Sequence, residues 1–118
     1  MTDAEFEFFK VLEQVVQDKY YIVPQVVMSD LLEVKGFGFW KKPYRTKIDK
    51  KTIDFVLYNK QRYTPYIAIE LDDSTHLQKK RIARDVFVNT VLEKSGIKLI
   101  RIQNSATYNL SDISKKLA

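Results

Sequence analysis

The sequence predicts a mixed α/β domain with about four strands, in the order α-β-β-β-α-β followed by a short C-terminal helix. Apolar residues recur at helical spacing near the amino terminus, whereas the middle of the chain holds apolar runs of strand length bounded by turn residues. With 118 residues, 45% of them hydrophobic, the chain is predicted to be one domain, residues 1–118. A domain of this size buries roughly two thirds of its unfolded surface.

The amino-terminal part predicts a helix and then a strand. The helix is expected over Asp3 to Asp18, and its inward stripe is Phe8, Phe9, Leu12, Val15 and Val16. The strand follows over Tyr20 to Val27, and Pro24 within it favours an edge position or a bulge. Ser29 is expected to begin a short helical turn, after which glycines open a basic loop.

Two strands are predicted next, within Thr52–Tyr58 and Pro65–His76, paired through the turn at 59–64. The later elements are a helix over Gln78 to Lys94, a strand over Ile97 to Ile102 and a short helix over Leu110 to Leu117 capped by Ser111. Gly96 favours the left-handed conformation that ends a helix.

Three carboxylates lie in the two central strands. Because side chains alternate along a strand, Glu70 and Asp72 point to the same face, and Asp54 lies in the neighbouring strand. An unpaired carboxylate in a buried strand costs several kcal/mol unless it binds a cation or is fully hydrogen-bonded. Asp54 and Glu70 would converge as oxygen ligands for Mg²⁺ or Mn²⁺ if the strands pair. The alternative is solvated carboxylates at the strand ends.

Basic residues flank these acids. The net charge is +5 with a pI near 9.3, and half of all Lys and Arg lie in two groups beside the acidic strands. The first group is Lys41, Lys42, Arg45, Lys47, Lys50 and Lys51 with Trp40 among them, and the second is Lys79, Lys80, Arg81 and Arg84. Cations interleaved with aromatic rings suit a nucleic acid. The alternative is a solvated loop and helix face, with Arg81 paired to Asp85 on the surface.

The order of these motifs resembles an uncharacterised family of the PD-(D/E)XK nuclease superfamily. The motifs are Asp54, then Glu70-Leu-Asp-Asp-Ser-Thr-His76, an arginine-containing helix and Gly96-Ile-Lys-Leu-Ile-Arg-Ile102. The Glu-x-Asp pattern, in place of the usual Glu-x-Lys, looks like the branch of the very-short-patch-repair endonucleases. The resemblance implies a restriction-endonuclease-like core and a metal-dependent nuclease that uses Mg²⁺ or Mn²⁺, with DNA favoured over RNA as substrate.

The resemblance also assigns roles to residues. It implies Asp54 and Glu70 as metal ligands, with Asp72 at the position where the superfamily's lysine helps to activate water. The candidates to replace that lysine are His76 as an acid or base, and Lys51 or Arg84 as a clamp on the phosphate.

Glu5 is a third acidic candidate, which the resemblance brings from the first helix to the catalytic centre. Thr2-Asp-Ala-Glu5 is also a capping box, in which the Glu5 side chain would only stabilise the helix start. Glu7 is the fallback if the helix has another register.

The absence of cysteine excludes disulfides and thiolate zinc sites. The chain shows neither a hydrophobic amino-terminal signal nor an apolar run near 18 residues, so a cytoplasmic protein outside the membrane is expected. The competing class is a catalytically inactive nuclease-fold domain that binds nucleic acid or a protein. Because no base-reading motif is visible, a partner protein could supply targeting.

Overall fold

The computed structural model describes residues 1–34, 51–72 and 79–118, which form a four-stranded sheet flanked by helices. The predicted mixed α/β class is therefore confirmed. The elements are α1 (Asp3–Val16), β1 (Tyr20–Val27), α2 (Met28–Val34), β2 (Thr52–Asn59), β3 (Pro65–Asp72), α3 (Lys79–Lys94), β4 (Lys98–Gln103) and α4 (Leu110–Leu117). None of the helices in these ranges has the length and apolar character that crossing a membrane requires.

The sheet has the strand order β1-β2-β3-β4. β1 pairs with β2 and β2 with β3 in antiparallel fashion, whereas β3 and β4 are parallel. The antiparallel pair β2–β3 is joined by a tight turn, in which the Asn59 carboxamide accepts a hydrogen bond from the Gln61 amide at 2.8 Å. A parallel pair needs a long crossover, which includes α3 here.

Two apolar cores lie on opposite faces of the sheet. The first core joins α1 and α4 to the sheet, and its buried members are Phe8, Leu12, Val16, Phe55, Leu57, Ile67, Ile69, Ile100, Ile102, Ile113 and Leu117. The second core joins α2 and α3 to the sheet, and its buried members are Met28, Leu31, Leu32, Ile53, Val56, Ala68, Val88, Val91, Leu92 and Ile97. Both faces are covered, so β3 has the near-continuous apolar sequence of a doubly buried strand.

The start of α1 is the predicted capping box. The Thr2 hydroxyl accepts the Glu5 amide at 3.1 Å, and the Glu5 carboxylate accepts the Thr2 amide at 3.3 Å. The predicted end at Asp18 was wrong by two residues, since α1 stops at Val16. Gln17 takes a φ of 52°, which a right-handed helix does not allow, so the helix ends without a glycine.

β1 has its predicted bounds and lies at one end of the described sheet. Pro24 pairs with Phe55, and the residue after it, Gln25, has a φ of 55°. The proline is therefore tolerated where the prediction placed it, in a terminal strand and beside an irregularity.

The C-terminal elements follow the prediction with two corrections. Gly96 has a φ of 84° after α3, and β4 begins at Lys98, one residue later than predicted. α4 is capped by Asn109 and not by Ser111, because Asn109 has an extended backbone and its side chain accepts the Asp112 amide at 3.1 Å. Ser111 lies inside the first helical turn, where a residue cannot act as the N-cap.

This correction predicts different costs for two alanine substitutions. Asn109→Ala should lower the free energy of unfolding by about 1 kcal/mol, because the Asp112 amide loses its acceptor. Ser111→Ala changes the second residue of the helix and should leave the free energy of unfolding nearly unchanged. Urea denaturation measures both, and an equal loss in the two variants would contradict the assignment of the cap.

Candidate functional site

Asp54 and Glu70 lie side by side where β2 and β3 separate. The ladder between these strands runs from Tyr58–Pro65 to Phe55–Ile69, so Asp54 and Glu70 are the next pair in register. Beyond the ladder, the Leu71 amide donates a 2.8 Å hydrogen bond to Asp54 Oδ2. The Asp54 side chain therefore replaces a backbone carbonyl as the partner of that amide, which fixes the orientation of its carboxylate.

Asp54 also lies at the point where the buried side chains of β1 and β2 switch from one face of the sheet to the other. Alternation along a strand would put Ile53 and Phe55 on one face, yet Ile53 packs in the second core and Phe55 in the first. β1 changes in the same way, since Ile22 packs against the first core and Val26 against the second. The change in β1 coincides with the positive φ of Gln25, which lies between the paired residues that flank Asp54.

Glu70 is the more deeply buried of the two acids, with 7% of its surface exposed. The Lys51 ammonium lies 3.2 Å from Glu70 Oε1, but this ion pair lacks the alignment of a hydrogen bond. Among the described residues, Glu70 Oε1 is thus a buried oxygen without a hydrogen-bond partner. Such an oxygen is costly to bury, and the Lys51 ammonium beside it offsets part of that cost. The alternative of a solvated carboxylate at a strand end is wrong for Glu70.

Burial dominates the ionisation of both acids. It raises the pKa of Glu70 to about 7, with the Asp54 charge adding to the rise and with Lys51 and Arg101 opposing it. Burial also raises the pKa of Asp54, where the Leu71 amide opposes the rise and the charge of Glu5 adds to it. The two carboxylates are therefore poorly compensated when both are charged.

Of the two roles that the sequence left open for Glu5, the capping box is confirmed. Its carboxylate closes the capping box with Thr2, and it also accepts a hydrogen bond from the Gln25 carboxamide. Its charge reaches Asp54, whose pKa it raises, so it lies on the site's side of α1. Glu7 is exposed and pairs with Lys10 at 2.9 Å, which removes it as the fallback.

Asp72 has a partner that the sequence did not single out. Asp72 Oδ1 lies 3.3 Å from the guanidinium of Arg101, which also donates to the Asn89 carboxamide at 3.4 Å. The parallel register pairs Glu70 with Arg101, so the arginine lies on the same face of the sheet as Glu70 and Asp72. The signal was present in the sequence, because alternation in the last strand sets Arg101 apart from Ile100 and Ile102.

The other predicted contacts cannot be placed at the site. His76 and the residues Trp40, Lys41, Lys42, Arg45, Lys47 and Lys50 lie outside the described residues. Lys79, Lys80, Arg81 and Arg84 fall in the first part of α3, and their side chains lie outside the described part of the structure. Of the first basic group, Lys51 is the member that the structure brings to the acids.

The donor set fits a hard divalent cation. Asp54 and Glu70 present carboxylate oxygens side by side, and burial raises the pKa of both acids although Lys51 opposes the rise. No cluster of three or more acids, histidines or cysteines suited to a metal occurs within 1–34, 51–72 and 79–118. Mg²⁺ is commonly held by one or two carboxylates together with water and substrate phosphates, so two protein ligands suffice.

The structure thus defines a mixed α/β domain in which buried Glu70 and half-buried Asp54 lie side by side at an interruption of the sheet. Over residues 1–118 the chain matches the family described as "Protein of unknown function (DUF2726)", and it belongs to that family. No curated protein and no solved structure matches the chain.

Burial of Glu70 predicts a pH-dependent effect of Glu70→Gln on stability. The folded-state pKa of about 7 exceeds the ordinary 4.5, so ionisation of Glu70 destabilises the wild type as the pH rises between those values. Without added metal, the variant should match the wild type in acid and exceed its free energy of unfolding by roughly 3 kcal/mol above neutrality. Urea denaturation across this range measures the difference. Glu93→Gln, which removes an exposed carboxylate, is the control, and a difference independent of pH would contradict the account.

The contact between Lys51 and Glu70 predicts a change in the titration of Glu70 that NMR can measure. Lys51→Met should raise the pKa of Glu70 above its wild-type value of about 7, because the nearest ammonium no longer favours the carboxylate. A carbon-13 NMR titration of the Glu70 carboxyl group measures the change. Lys60→Met, at the other end of β2, should leave the titration unchanged, and equal titrations in both variants would refute the contact.

Proposed function

We propose that this chain is a metal-dependent nuclease that hydrolyses phosphodiester bonds, with DNA favoured over RNA. The observation that carries the proposal is the buried carboxylate of Glu70, which lies beside Asp54 and has an oxygen without a hydrogen-bond partner among the described residues. Two neighbouring acids whose pKa values are raised by burial are costly in a sheet unless they bind a ligand of opposite charge. A divalent cation is the simplest ligand for them.

The arrangement supports a division of roles. Asp54 and Glu70 would hold Mg²⁺ or Mn²⁺, and the hydrogen bond from Leu71 would keep the Asp54 carboxylate in place. A cation bound there supplies electrostatic stabilisation at the phosphate and lowers the pKa of a bound water. Asp72 would orient the attacking water from the same face of β3, while Arg101 sets its position.

Lys51 is the residue we propose for the role of the missing lysine. Its ammonium lies beside Glu70, and the Lys51 side chain is 18% exposed, which leaves it able to meet a phosphate oxygen. A half-buried cation at that place would stabilise the negative charge that develops on the phosphate. His76 and Arg84 remain candidates for proton transfer and phosphate binding.

A restriction-endonuclease-like core is part of the proposal. It is supported by the sheet order, by helices on both faces, and by acids on the two central strands with a further glutamate on α1. These are the features that the resemblance to the PD-(D/E)XK superfamily implies, with Glu-x-Asp at Glu70 and Asp72 as the departure.

The second candidate is an inactive nuclease-fold domain that binds nucleic acid or a protein. The ion pair between Asp72 and Arg101 favours it, because it puts a satisfied acid where a catalytic lysine would act. Against it stands the charge of the site, since carboxylates that bind no cation repel phosphate. The two candidates therefore differ in what removal of the acids does to binding and cleavage.

The proposal predicts cleavage that depends on metal and on both acids. Supercoiled, linear and single-stranded DNA, and RNA, are incubated with Mg²⁺, Mn²⁺ or EDTA and with wild type, Asp54→Asn or Glu70→Gln. Both substitutions keep the shape of the side chain but weaken cation binding, so we expect activity to fall at least about a hundredfold. Glu93→Gln, purified in the same way, should cleave like the wild type.

Three results would count against the proposal. Equal cleavage by all four proteins would assign the activity to a contaminant. Cleavage that persists in EDTA would exclude a metal-dependent mechanism. No cleavage, combined with DNA binding that tightens in Asp54→Asn and Glu70→Gln, would favour the inactive binding domain.

A further inference from the structure

Five tyrosines gather at the end of the sheet opposite the acids. Tyr20 and Tyr66 stack with ring centroids 6.0 Å apart and planes 13° apart. The Tyr63 ring contacts the rings of Tyr21 and Tyr58, with centroid distances of 5.3 Å and 5.4 Å. The pair packs on the side of the first core and the group of three on the side of the second, and together we call them the tyrosine end, which comprises Tyr20, Tyr21, Tyr58, Tyr63 and Tyr66.

The rings are held by backbone structure but remain open to solvent. Tyr21, Tyr63 and Tyr66 are 42%, 61% and 50% exposed. Two backbone hydrogen bonds hold the turn that carries Tyr63. The Tyr63 amide donates to the Asn59 carbonyl at 2.7 Å, and the Asn59 amide donates to the Thr64 carbonyl at 2.8 Å. Tyr66 lies at the register shift between β2 and β3, which turns its ring towards Tyr20. One stacked pair and one group of tilted rings therefore expose aromatic surface at this end of the sheet.

Positive charge accompanies the rings. The Lys60 ammonium lies 4.9 Å from the centre of the Tyr21 ring, and Arg62 is exposed on the same turn. The segment from residue 58 to residue 66 contains these two cations and no acid. Burial, Tyr63 and Asp30 raise the pKa of the Tyr58 hydroxyl, which keeps that ring neutral.

We infer that the tyrosine end binds single-stranded nucleic acid, with the rings stacking on bases and with Lys60 and Arg62 contacting phosphates. Aromatic rings beside cations are the features that bind single strands without reading their sequence. The large exposed hydrophobic residues of this end are tyrosines, with no aliphatic side chain among those described. Lysine is depleted at the centre of protein interfaces, so the Lys60 ammonium over the Tyr21 ring favours a strand of nucleic acid.

The tyrosine end would extend the substrate contact beyond the proposed catalytic acids. Tyr58 and Asp54 lie four residues apart on β2, which corresponds to about 13 Å along a strand. A single strand bound to the rings would thus lie a few nucleotides from the acids. The inference shares with the proposed function the premise of a nucleic-acid partner, but it concerns binding and does not require cleavage.

The test measures binding without metal, so that cleavage plays no part. The dissociation constants of a fluorescein-labelled oligothymidine and of a duplex of equal length are measured by fluorescence anisotropy in EDTA. Tyr21→Ala/Tyr63→Ala should bind the single strand at least about tenfold more weakly, since each stacked base is lost. Tyr21→Phe/Tyr63→Phe keeps the rings and should bind it like the wild type.

Thermal unfolding of each variant shows whether it is folded, and Tyr63→Ala alone replaces the double variant if that one unfolds. Equal single-strand affinity in the alanine and phenylalanine variants would overturn the inference. Failure of the wild type to bind, together with self-association that only the alanine variant loses, would also overturn it and assign the surface to a second copy of the chain. Loss of cleavage in Asp54→Asn with tyrosine-dependent binding intact would separate the two proposals.

Discussion

The pairing of buried Glu70 with half-buried Asp54 is the constraint on which the candidate site depends. Asp54 and Glu70 meet where β2 and β3 stop pairing, and in the described part of the chain the Lys51 ammonium and the Arg101 guanidinium favour the charged form of Glu70. Burial of Glu70 and partial burial of Asp54 reduce the compensation that water gives to the two charges. Stability alone would favour an apolar pair here, and the raised pKa of each acid expresses that conflict. The cation that we propose for this site would relieve the conflict.

The regular pattern of the sheet is interrupted at these acids. Both β1 and β2 change the face they bury at Gln25 and Asp54, and the Asp54 side chain takes over the backbone amide of Leu71. A carboxylate in an unbroken ladder would project into one of the two cores. At the interruption the Asp54 carboxylate lies close enough to Glu5 on α1 for the charge of Glu5 to raise the pKa of Asp54. The site thus draws its acids from α1, β2 and β3.

Alternation and turn residues predicted the order of elements, the mixed α/β class and the convergence of Asp54 with Glu70. They failed where tertiary contacts decide. The cap of α4 moved from Ser111 to Asn109, because the choice between neighbouring polar residues depends on where the chain leaves its extended conformation. Arg101 escaped notice because its partner, Asp72, is set by a parallel register that no local pattern reveals. The tyrosine end assembles from three separate segments and was equally invisible in the sequence.

Diffraction from crystals of the protein soaked in Mn²⁺ would test the central claim most directly, because anomalous scattering locates the metal without any assumption about catalysis. The account predicts one strong anomalous peak in contact with both the Asp54 and the Glu70 carboxylates, and its loss in Glu70→Gln. A fully occupied manganese site elsewhere, with Lys51 remaining the only cation beside an empty acid pair, would contradict it.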